Sequence, residues 1–311
     1  MNNIARGTFP DFKVQVDQAD KLDNVDPTVA QLIVQSGQAD GDAGDDKVSV
    51  GKGSWPAASL KPSQTSMVLP KALGMALGML ASGKIGGDLG ALVSSDGHIL
   101  DGHHRWAATI LASGSKGKVG GYKASLPGKG LLKVLNIISK GLFKVRGGKA
   151  GKGSLAQFTP GNVRSMLEDF VTNGMGGEFP IQADKVKETL ERSFGSVEQG
   201  IETMAENTNL MVKSVPGWAP DRKQMPVVDP DNVPKAVQVL NQGEVDWNDP
   251  HRKEGSMNLT ASDRAALIRF ASSLPKGSNE RKAILAGLRA AAGPQQFGNK
   301  TLKDAKKAWS L

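Results

Sequence analysis

Residues 92–112 read LVSSDGHILDGHHRWAATILA, and several patterns follow one another within and just before them. Ala91, Leu92 and Val93 make a short apolar strand, Ser95, Asp96 and Gly97 a tight turn, and His98, Ile99 and Leu100 a second strand that runs into Asp101-Gly102. Beyond that glycine the spacing becomes helical, with Trp106, Ala107, Ile110 and Leu111 on one face. The predicted order is strand, turn, strand, helix, with His103, His104 and Arg105 at the helix start. The first N–H groups of a helix lack internal partners and carry the positive end of its dipole, so they favour an anion. Gly102 admits a close backbone approach, and Arg105 offers a planar fork of donors to phosphate or carboxylate oxygens. A plainer reading makes Asp101 an N-cap and packs one histidine against Trp106. The clustering of His98, His103 and His104, three of the four histidines of the chain, favours a phosphate cradle.

Asp101-Gly102-His103-His104-Arg105-Trp106-Ala107-Ala108 resembles the phosphate-binding signature of the ParB/sulfiredoxin-like superfamily, in the DGHHR form seen in free serine kinases and their relatives. Upstream, Leu60-Lys61-Pro62-Ser63-Gln64-Thr65 resembles the segment that opens that fold. Downstream, Tyr122-Lys123-Ala124-Ser125-Leu126-Pro127, with Leu131 and Leu132, resembles its last strand and the helix after it. The resemblance covers roughly residues 47–145 and implies an α/β (α+β) chain: a core with a small mixed sheet, then a mainly helical C-terminal region. It implies a phosphate held by Gly102, His103, His104 and Arg105, with Ser63, Gln64 and Thr65 near the substrate or nucleotide. If the site binds nucleotide phosphates, residue type makes Asp101, His103 and His104 the catalytic candidates, His103 or His104 as a general acid because imidazole titrates near neutral pH, and Asp101 holding Mg²⁺ or orienting a hydroxyl. The implied ligands are ADP, ATP or CTP with Mg²⁺. Free serine kinases use a glutamate base after their opening strand, whereas here no glutamate precedes Glu168 and Gln64 stands in the comparable region. With no cysteine in the chain, sulfiredoxin chemistry, disulfides and cysteine-type zinc sites are excluded.

Charge is distributed unevenly. The net charge of +8 combines nine acidic and three basic residues over 1–46 with three acidic and seventeen basic residues over 47–167. No acidic residue lies between Asp101 and Glu168, so the basic stretch 102–167 is a candidate surface for non-specific DNA binding, unless the acidic N-terminal stretch offsets it. No apolar run approaches the roughly 20 residues of a membrane span, and MNNIARGTFPDF lacks the apolar segment of a signal peptide. The expectation is a protein of the cytoplasm, or of a virion if phage-encoded, with no membrane partner.

The expected organisation begins with an acidic flexible arm over 1–46, containing one short helix from Pro27 capped by Asp26. The core spans 47–145 and includes an apolar helix over 66–83 stopped by Gly83 and a basic amphipathic helix over 130–145. In the latter, Leu131, Leu132, Leu135, Ile138 and Leu142 face inward. Met67, Met75 and Met79 read as core filling. A Gly/Lys linker follows over 146–158, then a helical region over 159–311 with a proline-rich connector at 214–258 and a helical hairpin at 259–292. The hairpin resembles a short module of phage-encoded proteins. Three functions fit these features: a nucleotide-binding phosphotransferase or hydrolase, a phage virion or assembly protein that contacts neighbouring subunits or forms homo-oligomers, and a DNA-binding or nuclease protein.

Overall fold

The computed structural model describes residues 12–36, 48–145, 153–226, 228–241, 261–278, 281–282, 284–285 and 288. Strand side chains point alternately to opposite faces, and over residues 91–100 both faces are apolar. Ala91, Val93 and Ile99 therefore enter one core while Leu92 and Leu100 enter another. The sheet between them has strands β1 (Val50–Pro56), β2 (Lys61–Pro62), β3 (Gly87–Val93), β4 (His98–Asp101) and β5 (Lys118–Ala124), in the spatial order β1-β5-β3-β4-β2. β3 and β4 form the antiparallel hairpin expected at 91–100; β5 runs parallel to β3, β1 antiparallel to β5, and β2 parallel to β4. The architecture is α+β.

In chain order the described helices are α1 (Phe12–Gln18), α2 (Pro27–Ser36), α3 (Leu69–Ser82), α4 (His103–Ser113), α5 (Gly128–Gly141), α6 (Pro160–Asn173), α7 (Ala183–Phe194), α8 (Val197–Asn207), α9 (Val233–Asn241) and α10 (Ala261–Ser273). α3 and α4 cover one face, and α6, α7 and α8 pack outside them in the same hydrophobic cluster. α5 covers the other face, overlain by α1 and α2, with α9 and α10 contributing to that cluster. α3 ends as expected at Gly83, which is left-handed at φ 68° with its N–H on the Leu80 carbonyl. The β3–β4 turn is fastened from outside: Asp96 Oδ1 accepts from Ser94 Oγ (2.5 Å) and from the Gly128 N–H (2.9 Å) at the start of α5. Burial pushes the Asp96 pKa up, but the hydrogen bonds from Ser94, His98 and Gly128 win and hold it at about 2.

Four sequence expectations change. Residues 12–36, expected within a flexible arm, are packed: Ala19, Leu22, Val25, Ala30 and Ile33 are buried, and Asn136 of α5 donates to the Ala19 carbonyl (2.8 Å). The Asp26 cap is present, accepting from the Thr28 and Val29 N–H groups, so the helix was correctly placed and its packing was not. α5 is consequently buried on two sides, adding Val134 and Ile137 to the expected inward set, while Leu142 is only half-buried. Residues 153–158 of the expected linker also pack, with Leu155 and Phe158 in the core behind a Ser154–Gln157 capping box; 146–152 lie outside the described residues. Finally, the proline-rich connector contains α9, whose Val233, Ala236, Val237 and Leu240 recur at helical spacing and are buried. Of the C-terminal hairpin, α10, the turn at Gly277 (φ 89°) and buried Ile284 and Leu288 are described; the segments 1–11, 37–47, 242–260 and 289–311 are not.

Candidate phosphate-binding site

β4 passes into α4 through Gly102, which adopts φ 99° as the N-cap. The dihedral favours glycine, and a Cβ there would be tight as well, 3.2 Å from Ala91 Cβ and 3.4 Å from Arg105 Nη2. Trp106 anchors the first turn: it is fully buried, and its Nε1–H donates to the Ala57 carbonyl at 2.7 Å. The first backbone bond of α4 runs from the Trp106 N–H to the Gly102 carbonyl (2.9 Å), and no side chain caps the helix. The N–H groups of His103, His104 and Arg105 precede that bond and carry the positive end of the helix dipole.

Both imidazoles serve the backbone. His103 Nε2 accepts from the Ser63 N–H at 3.1 Å, with Ser63 Oγ 3.3 Å away and donating to the Ile99 carbonyl at 2.5 Å. His104 Nε2 accepts from the Val68 N–H at 3.0 Å. Burial, reinforced by the charges of His104, Arg222 and Arg105, lowers the His103 pKa to about 3. Burial, with Lys71 and Arg222, lowers that of His104 to about 4. At neutral pH both rings are thus uncharged and their Nε2 lone pairs are engaged. This departs from the general-acid role expected for either: the pair holds residues 63–68 against α4. Ser63 is the buried partner of His103, Gln64 reaches the cavity described next, and the Thr65 carbonyl accepts from the Leu155 N–H (2.6 Å) without lining that cavity.

A cavity of about 380 Å³ opens at the start of α4. Residues Asp101 to Arg105 form one wall, Gln64, Lys71 and Met75 a second, and Arg222, Pro226, Val228 and Asp229 a third. Met75 is thus a wall of the cavity, while Met67 fills the core as expected. Arg105 Nη2 donates to Asp101 Oδ2 at 2.6 Å, and Arg105 Nε is buried without a partner. Burial raises the Asp101 pKa despite the opposing charge of Arg105. Lys71 pairs with Glu178 at 2.7 Å. Lys71, Arg222 and Asp229 were not picked out from sequence. Lys71 lies in the first turn of an otherwise apolar helix, and the other two belong to the proline-rich connector, where nothing local signals a site.

No group of three or more His, Cys, Asp or Glu side chains poised to hold a metal ion occurs among the described residues. A second, larger cavity, about 810 Å³, lies at the start of α3 between Val68, Leu69 and Pro70 on one side and Gln157, Asn162 and Asp169 on the other. The basic stretch 102–167 is partly neutralised from outside it: Lys133 lies 3.7 Å from Asp17, and Arg164 forms a bidentate pair with Glu202. No helix among the described residues is long and apolar enough to cross a membrane. Comparison with protein-family models, curated proteins and solved structures found no match to this chain.

Proposed function

We propose that the cavity at the start of α4 binds the phosphate group of a nucleotide, ADP, ATP or CTP with Mg²⁺, on a core related to the ParB/sulfiredoxin-like superfamily. The observation that carries this reading is the meeting of uncapped α4 amides with Lys71, Arg105 and Arg222 around one cavity. Oriented backbone N–H groups and planar guanidinium donors are what a phosphate needs, and about 380 Å³ falls within the size range of small-ligand pockets.

In a phosphoryl transfer or hydrolysis at this site, Asp101 is the group at hand to orient a hydroxyl or water. Its burial disfavours the ionised form and so strengthens it as a proton acceptor, while Arg105 keeps it aligned. His103 and His104 contribute by fixing Gln64 and the wall behind it. Mg²⁺ bound with the nucleotide would neutralise charge on the phosphates, with Asp101 and Asp229 as available carboxylates. The test is calorimetry of the full-length chain with each nucleotide and Mg²⁺. Binding of at least one at micromolar to millimolar concentration is expected; no heat from any of the three at millimolar concentration removes the reading.

A further inference from the structure

We propose that Arg222 is the specificity-determining cation of this site, gripping a terminal phosphate together with the α4 amides, and that the Asp23–Gln224 pair positions it. The inference rests on the phosphate reading of the cavity. Of the three cations that line it, Arg105 is paired with Asp101 and Lys71 with Glu178. Arg222 has no ion pair among the described residues, although Asp101, His103 and His104 all lie within reach of its field. Its guanidinium is therefore the one whose whole donor fork is free of an ion pair among the described residues.

The segment that carries Arg222 is fastened at three points. The Trp218 ring meets His98 edge-on, with centroids 5.2 Å apart at 74°, and fills the space beside Gly128. Met225 is buried in the α5-side core. The Gln224 amide makes a two-point pairing with Asp23, accepting from the Asp23 N–H at 2.9 Å and donating through Nε2 to Asp23 Oδ2. Arg222–Gln224 form a single 3-10 turn, so fixing Gln224 fixes the direction in which Arg222 leaves the backbone. The N-terminal segment thereby helps to build a site on a helix far along the chain.

The ligand class follows from counting donors. A guanidinium takes two oxygens of a phosphate in a fork, and the α4 amides with Arg105 need others. A terminal phosphate has three free oxygens, whereas a phosphodiester has two. The site therefore takes nucleoside di- or triphosphates in preference to nucleic-acid backbone.

The experiment is calorimetry on the full-length protein with ADP, with pyrophosphate and with a dinucleotide phosphodiester, alongside thermal melting. The wild type is expected to bind ADP and pyrophosphate and to bind the diester at least about tenfold more weakly. Arg222→Ala should weaken ADP about tenfold or more at unchanged Tm, with Arg222→Lys intermediate because it keeps the charge and loses the fork. Asp23→Ala should weaken ADP, Asp23→Asn, which retains an acceptor oxygen, should restore it, and Asp23→Ala should cost nothing further in an Arg222→Ala background. ADP binding unaffected by Arg222→Ala but lost in Arg105→Ala would overturn this inference and leave the phosphate site standing, as would equal affinity for the diester. Additive losses from Asp23→Ala and Arg222→Ala would overturn the positioning role. A wild type that binds neither ADP nor pyrophosphate would overturn both the inference and the reading beneath it.

Discussion

α3 and α4 both begin without a side-chain cap, both open onto a cavity, and they are joined by the bond from the Val68 N–H to His104 Nε2. Among the described residues, the α4 cavity has Lys71, Arg105 and Arg222 on its walls, whereas the α3 cavity, with more than twice the volume, has no Lys, Arg or His in its lining and carries the carboxylate of Asp169. A helix dipole contributes only tenths of a kcal/mol to about 2 kcal/mol, so an exposed helix start does not make an anion site. A charged frame is needed as well, and the cations around the α4 cavity come from three separate parts of the chain.

The comparison can be broken most forcefully from beneath α4. Trp106→Ala should cost about 3–5 kcal/mol of unfolding free energy in urea, since it empties a fully buried site and orphans the Ala57 carbonyl; a loss below about 1 kcal/mol would mean that α4 is held otherwise. Acid should act next. The folded-state pKa values of His103 and His104, about 3 and about 4, lie below the ordinary 6.5, so below that pH the unfolded chain binds protons that the folded chain refuses. Stability should therefore fall by about 1.4 kcal/mol per pH unit for each histidine as pH drops below about 6.5, levelling off only past the folded-state values. Denaturation at pH 7, 6 and 5 measures the slope, and His103→Leu should halve it. The smallest effect separates the two helix starts directly. Arg105→Ala should weaken nucleotide binding by about 1.5–3 kcal/mol, whereas Asp169→Ala at the α3 cavity should leave the affinity within about twofold. Equal effects would erase the distinction.

The hairpin and α4 are legible in residues 92–112 because they are local: short apolar runs, a turn with glycine at positive φ, and a shift to helical period are all written within one stretch. The same holds for the Asp26 cap and the Gly83 stop. The third wall of the site was not legible, since Arg222 and Asp229 reach α4 through long-range packing that leaves no periodic trace in a proline-rich segment. Nor could the roles of the histidines be read, because which backbone N–H meets Nε2 depends on how residues 63–68 lie across the helix. Residues 12–36 hide their packing for a different reason. The Gly/Asp-rich run after them suggests an arm, although Val16, Ala19 and Val25 already recur at apolar spacing and join the core that contains α5.

An open sheet has edges that can recruit a further chain, and the β1 edge shows how this is discouraged. The bond from the Ser125 N–H to the Ser49 carbonyl turns Ser49 toward β5, which leaves Val50, Lys52, Ser54 and Pro56 with their backbone groups directed outward. Asn241 at the end of α9 occupies the first of these, accepting from the Val50 N–H at 2.8 Å and donating to its carbonyl at 3.2 Å, as a neighbouring strand would. Pro56 has no N–H to offer, and Lys52 brings a charge that would be costly to bury against a second chain. One asparagine side chain thus stands in for a sixth strand at Val50, where it takes both backbone groups that a recruited chain would need.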